Sequence, residues 1–145
     1  PLELRAGAPR ILAFRRRAVW TSALAALLVL GVAVAAIASY LNQVVAVYPL
    51  AGDSPGEAVV VMLRSGALAL ELRGAGDPPP GYVYEAWIIP AGRQPVAAGV
   101  TARGEGRLPL PREAHGQTVA VTVEPGPEGV SAPTSPPLKA GTVGS

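Results

Sequence analysis

A single histidine, His115 in Glu113-Ala114-His115-Gly116, could serve as a general base, with Ser131 or Ser135 as its nucleophile. Neither serine stands in the strained Gly-x-Ser-x-Gly turn that presents a nucleophile in hydrolases, so no catalytic residue is assigned and no enzymatic activity is expected. The chain has no cysteine, which excludes disulfides, thiol chemistry and cysteine-bound zinc; one histidine excludes multi-histidine metal sites. Asp53, Glu57 and Asp77 are too scattered for a calcium loop. Gly104 and Gly106 would need a following helix N-terminus to cradle a phosphate, and Leu108-Pro109-Leu110-Pro111 denies one, leaving a hairpin as their reading. No metal and no cofactor is expected. Glu85 and Trp87 lie two apart, hence on one strand face, where they could form a recognition patch. The structural alternative puts Trp87 in the core and pairs Glu85 with an arginine at the rim, because a buried carboxylate requires a partner. Tyr82 and Tyr84 divide the same way, between binding a sugar or peptide and cross-strand packing.

The elements that would hold these groups are limited by composition. The 145 residues are 50% hydrophobic but only 15% charged, against roughly 25% in an ordinary soluble domain. One small folded domain plus one very apolar segment fits these values. The charge is also unevenly placed. Arg5, Arg10, Arg15, Arg16 and Arg17 face only Glu3 within residues 1–17, whereas residues 42–145 hold more acids than bases. The basic arm therefore points to membrane orientation rather than to nucleic acid, and no nucleic-acid partner is expected.

Residues 18–41 carry no charge, and as a helix they would run about 36 Å, enough to cross a hydrocarbon core of about 30 Å. Arg15, Arg16 and Arg17 immediately before this run place the N-terminus in the cytoplasm, and Trp20 and Tyr40 stand near its ends, where amphipathic rings prefer the headgroup level. A cleaved signal peptide is the competing reading, because Ala36-Ile37-Ala38 before Ser39 fits the small-residue cleavage pattern. The apolar run is longer than a signal peptide's core, and Pro1 reads as internal to a longer protein, so a single-pass anchor is favoured. Gly31 with Ala35 forms a small-xxx-small face, although such spacing arises readily in an alanine-rich helix.

Beyond the helix, residues 42–57 collect Pro49, Gly52, Asp53, Ser54, Pro55 and Gly56 and are expected to form a stalk. Short apolar runs then alternate with turn signals over 58–63, 67–73, 82–89, 95–101 and 118–124, which predicts an all-β domain, a small β-sandwich with its core in residues 58–125. Alternation puts Leu68, Leu70 and Leu72, and likewise Val119, Val121 and Val123, inward. Val59, Val61, Leu63, Trp87 and Ile89 complete the predicted core. Residues 126–145, rich in Pro, Gly and Ser, are expected as an extended tail lying along a sheet edge and fraying at its end.

Tyr82-Val83-Tyr84-Glu85-Ala86-Trp87-Ile88-Ile89, then Pro95 to Gly99, then Val119-Ala120-Val121-Thr122-Val123-Glu124-Pro125-Gly126 with Pro133-Thr134, occur in the order that resembles the exported domain of the anti-sigma-K factor family. The resemblance spans about residues 18–141. Its motif positions here are Tyr82, Tyr84, Glu85, Trp87, Gly99, Thr122, Glu124, Pro125, Pro133 and Thr134. Ala86 stands where a larger aliphatic residue is usual, and the Gly-Gly-Ser that commonly follows Glu-Pro is spread over residues 126–131.

The resemblance implies a bacterial single-pass membrane protein that holds an extracytoplasmic-function sigma factor at the cytoplasmic face and releases it after successive proteolysis. Its implied partners are the lipid bilayer, the sigma factor, and an exported and an intramembrane protease. The sigma factor would bind a domain upstream of residue 1, since residues 1–17 are too few to bury a core. Residues 42–57 are the expected site of exported cleavage, and Gly31 is a possible weak point of the helix. The alternative is an anchored or secreted β-sandwich binding module with no transcriptional role.

Overall fold

A computed structural model describes the backbone of residues 11–144 and the side chains of residues 24–144. The chain divides into two units at Tyr40 and Leu41. The described part of the first is helical, in α1, Ile11–Leu41. Within it Leu24–Leu41 has a mean hydropathy of 2.5 and no buried residue, so the helix is long and apolar enough to cross a membrane. Its apolar residues are not confined to a stripe, which is the pattern of a helix solvated by lipid rather than packed on a core. The backbone is already helical from Ile11, so the basic arm expected over 1–17 is helical in its second half. The side chains of Arg15, Arg16, Arg17 and Trp20, and all of residues 1–10, lie outside the described residues.

The second unit is all β, as predicted. Its strands are β1 Val44–Leu50, β2 Glu57–Leu63, β3 Leu68–Arg73, β4 Tyr82–Ile89, β5 Val96–Thr101, β6 Gly106–Leu110, β7 Thr118–Pro125 and β8 Lys139–Thr142. They form two antiparallel four-stranded sheets in the orders β1-β2-β3-β6 and β5-β4-β7-β8. The sheets pack face to face over Ala58, Val60, Leu68, Leu70, Leu72, Leu110 from one side and Tyr84, Ala86, Ile88, Val119, Val121 from the other.

Three expectations are corrected. The stalk is not free chain: Val44–Leu50 pairs along β2 from Leu63 to Ala58, and Ala51 exchanges backbone bonds of 2.9 and 2.8 Å with Ala140 of β8. Pro49 is accommodated because β1 is an edge strand, where a missing N–H breaks no central ladder. The tail does lie along a sheet edge, as β8 beside β7 from Lys139↔Val121 to Thr142↔Thr118; what is corrected is the fraying, since the chain is laddered through Thr142. The face assignment holds for β3 and β7 but is inverted in β2 and β4, where Ala58, Val60, Tyr84, Ala86 and Ile88, not Val59, Val61, Trp87 and Ile89, point between the sheets.

Candidate functional site

Inversion of β4 turns Val83, Glu85 and Trp87 toward the outer face of the second sheet. Register then sets the neighbours: Val83↔Glu124, Glu85↔Thr122 and Trp87↔Ala120. All six residues are buried, Trp87 and Glu124 with no exposed surface and Glu85 with 1%. A sheet face of this kind stays dry only under a cover, and the hydrogen bonds identify the cover as the segment between β7 and β8. Val130 N–H donates to Glu85 Oε2 at 2.9 Å. Thr134 N–H donates to both Glu124 oxygens at 3.1 and 3.2 Å, the Thr134 hydroxyl to Oε2, and Ser135 N–H to Oε1 at 3.2 Å. Ser135 Oγ donates to the Val123 carbonyl at 2.8 Å, and Leu138 N–H to that of Val121 at 2.8 Å.

Trp87 Nε1–H donates to Thr122 Oγ1 at 2.9 Å, and the Thr122 hydroxyl in turn serves Glu124. Five of the predicted motif residues, Glu85, Trp87, Thr122, Glu124 and Thr134, thus meet in one clasp that fastens a proline-rich strap across the sheet, with Pro133 next to Thr134 along that strap.

The two carboxylates differ in their electrostatics. Burial pushes the Glu85 carboxyl above its ordinary pKa, the Val130 N–H opposes this, and the charge of Glu124 adds to it. Burial alone would also raise Glu124, but the donors from Thr134, Thr122 and Ser135 outweigh it and hold the carboxyl below the ordinary range. Among the described residues neither carboxylate pairs with an arginine, contrary to the rim pairing expected for Glu85. That pairing belongs to Glu71 on the outer face of the first sheet, which accepts bonds from Arg107 and from Arg73 Nη2, the latter at 2.6 Å. The Arg107 bond is the main cause of a lowered Glu71 pKa, against the opposing effect of burial and with Arg73 adding to the lowering.

The remaining motif residues are structural at other places. Tyr84 sits in the intersheet core, and its hydroxyl donates toward the carbonyls of Ala75 and Gly76 at 3.1 and 3.0 Å. Burial, with the Asp77 charge adding, raises its pKa. Gly99 has φ +146 opposite Ala86, beside the bulge of β5, and a Cβ there would press on the Leu108 side chain. Tyr82 is exposed and pairs with Pro125 at the end of the ladder. Gly31 has open space around it.

His115 and Ser135 are not brought together. His115 precedes the start of β7, with its ring against Gly144, whereas Ser135 is bonded near the far end of β7, about 17 Å away along a strand of this rise. Gly52-Asp53-Ser54-Pro55-Gly56 does have the Gly-x-Ser-x-Gly spacing, but it joins two strands with no helix following, and Ser54 Oγ donates to the Leu138 carbonyl at 3.2 Å. Among the described residues no group of three or more acidic or histidine side chains is placed to hold a metal ion. A cavity of about 220 Å³ opens between the sheets, lined by Ala58, Leu72, Tyr84, Val121 and Leu138 with Glu57 and Lys139 among its polar neighbours.

Residues 18–139 match the family model described as anti-sigma-K factor rskA, C-terminal. No curated protein and no solved structure matches the chain.

Proposed function

Since this chain belongs to the anti-sigma-K factor family, we propose that it is the membrane-anchored, exported regulatory part of an anti-sigma factor for an extracytoplasmic-function sigma factor, released by regulated proteolysis. The observation that carries this reading is the extent of the match, which takes in the apolar helix and the sandwich together. In this reading the N-terminus, with Arg15, Arg16 and Arg17, is cytoplasmic, the sandwich is extracytoplasmic, and the sigma factor is held by a domain N-terminal to the helix.

Proteases bind their substrates as extended, unpaired chain, and β1 offers neither freedom while it is laddered to β2. Exported cleavage in the expected 42–57 region therefore falls in the exposed turn around Asp53 and Pro55, or follows release of β1. Removal of the sandwich would leave a short stub, after which an intramembrane protease cuts α1, where Gly31 lowers helix propensity by about 1 kcal/mol relative to alanine.

The test follows fragments of the regulator under envelope stress, with a reporter fused after Ser145 fixing topology. The expected result is an exported reporter, a transient membrane stub, and slower stub loss with Gly31→Leu, a substitution for which α1 has room. A cytoplasmic reporter, or sigma release without any stub, refutes the proposal. A second reading, an anchored or secreted binding module with no transcriptional role, draws on the cavity beside Tyr84 and is favoured if deleting the sandwich leaves sigma-dependent transcription unchanged.

A further inference from the structure

An antiparallel sandwich sends its turns alternately to two ends, and here the turns at the two ends differ in charge. The turns after β2, β4 and β6 hold Arg64, Arg93 and Arg112 against Glu113. Those after β1, β3, β5 and β7 hold Asp53, Asp77, Glu105 and Glu128 against Arg103. All of these side chains are exposed.

Backbone bonds identify the basic end as the one from which α1 leaves. Leu41 closes the apolar stretch, and its carbonyl accepts Ser65 N–H at 3.1 Å, while the Gln43 carbonyl accepts Arg64 N–H at 2.8 Å. Arg112 Nη2 donates to the Ser65 carbonyl at 3.4 Å, which puts its guanidinium within about 10 Å of the Leu41 carbonyl across the width of one residue. Arg93 lines a hollow with Pro111, the residue before Arg112. Val44, Val45 and Val47 at the start of β1 are about half exposed, and two residues of linker hold Val44 within about 11 Å of Leu41.

We propose that this end of the sandwich is a docking surface for the bilayer itself, with the three arginines on the phosphates of anionic lipids and the β1 valines in the headgroup layer. The proposal rests on the reading that α1 crosses the membrane. Charge selects the lipid surface over other occupants: a basic residue near an anionic membrane contributes about fivefold to binding, so three arginines opposed by Glu113 favour docking on the order of twentyfold. A second copy anchored in the same bilayer would present its own basic end at the same level, so the two copies repel there. At the far end Arg73, Arg103, Arg107 and Lys139 stand among Asp53, Glu57, Asp77, Glu105 and Glu128, so that end has no net positive charge to draw it to the bilayer.

The chain has no cysteine, so a single one can be introduced cleanly. Full-length chain carrying Val47→Cys or Glu105→Cys, each labelled with a polarity-sensitive fluorophore, is reconstituted at one chain per nanodisc in phosphatidylcholine with or without phosphatidylglycerol. A quencher is carried on the lipid headgroups. The label at position 47 should be quenched several-fold more than that at 105. The difference should require phosphatidylglycerol, weaken with salt, and shrink when Arg64→Gln, Arg93→Gln and Arg112→Gln are combined, while thermal unfolding of the sandwich stays put. Equal quenching at the two positions in chain that resists carbonate extraction overturns docking and leaves the anchor standing. Loss of the chain on carbonate extraction removes the anchor and the proposal together. Protection at position 47 that appears only when two chains share a disc assigns the face to a second copy and also overturns it.

Discussion

Replacing Glu124 with glutamine exchanges a charged, purely accepting group for a near-isostere that is half donor. Both oxygens of Glu124 are engaged by Thr134 and Ser135 in a site with no exposed surface. Hydrogen bonds to a charged partner contribute about 1.5–3 kcal/mol each. Glutamine keeps one acceptor for the Thr134 and Ser135 N–H groups, but its NH₂ then faces the Thr134 hydroxyl, which must reverse to accept it, and every bond loses its charge assistance; the expected cost is about 2–4 kcal/mol. That is a large share of the roughly 5–15 kcal/mol that holds a typical domain folded.

Glu85→Gln is the control on the same sheet face. Glu85 accepts one N–H, from Val130, and both burial and Glu124 disfavour its charge, so the amide should cost less than about 1 kcal/mol or stabilise. Urea unfolding of the full chain in detergent micelles, with Trp87 as the probe in a Trp20→Phe background, measures both. Acidification adds a second readout. The stability from Glu124, whose pKa is lowered, is complete above the unfolded carboxyl value of about 4.3 and is lost as pH falls through the folded value. The penalty from Glu85, whose pKa is raised, is present above its folded value and relieved as pH falls toward about 4.3. Acid destabilisation should therefore be shallower in Glu124→Gln and steeper in Glu85→Gln. Equal costs for the two, or an acid limb unchanged in both, would refute the account of the clasp.

Two other substitutions probe the same region. Gly129 has φ +77, and a Cβ there would lie 2.5 to 2.7 Å from the Glu85 carboxylate; Gly129→Ala should destabilise by about 1–3 kcal/mol and speed hydrogen exchange at Val130. Trp87→Phe removes the bond to Thr122 from a fully buried site and should cost about 1–3 kcal/mol, with a double-mutant cycle against Thr122→Val giving a coupling of about 0.5 kcal/mol or more.

How far the sequence reveals this fold depends on whether polarity and burial coincide. In β3 and β7 the large aliphatic residues recur at every second position, so the face between the sheets can be read directly. In β2 five apolar residues run from Val59 to Leu63, and period-two reasoning has nothing to grip. In β4 the size of Trp87 suggests the main core, yet it belongs to a second buried layer whose other members, Glu85, Thr122 and Glu124, look like surface residues. Their burial depends on a strap dominated by Pro, Gly, Ser and Thr, which has no periodicity to announce it. The edge strands β1, β6 and β8 are hidden for related reasons: Pro49 and Pro109 read as breakers, and Lys139-Ala140-Gly141-Thr142 has no large apolar residue. The motif residues are recognisable by their order along the chain, but their grouping into one clasp requires the register of β4 on β7.

The placement of β1 also has a mechanical consequence. Residues 42 and 43 join α1 to β1, and the ladder from Val44↔Leu63 to Leu50↔Ala58 is loaded in shear by tension applied along β1. Load applied in that direction shears the β1–β2 hydrogen bonds together, so the joint resists force up to a threshold and then fails at once. Load applied across the sheet would instead peel β1 away one bond at a time at much lower force. The β1–β2 joint is thus stiff toward a pull along β1 and weak toward one across it, and the direction of a load on residues 42 and 43 would decide whether β1 stays seated.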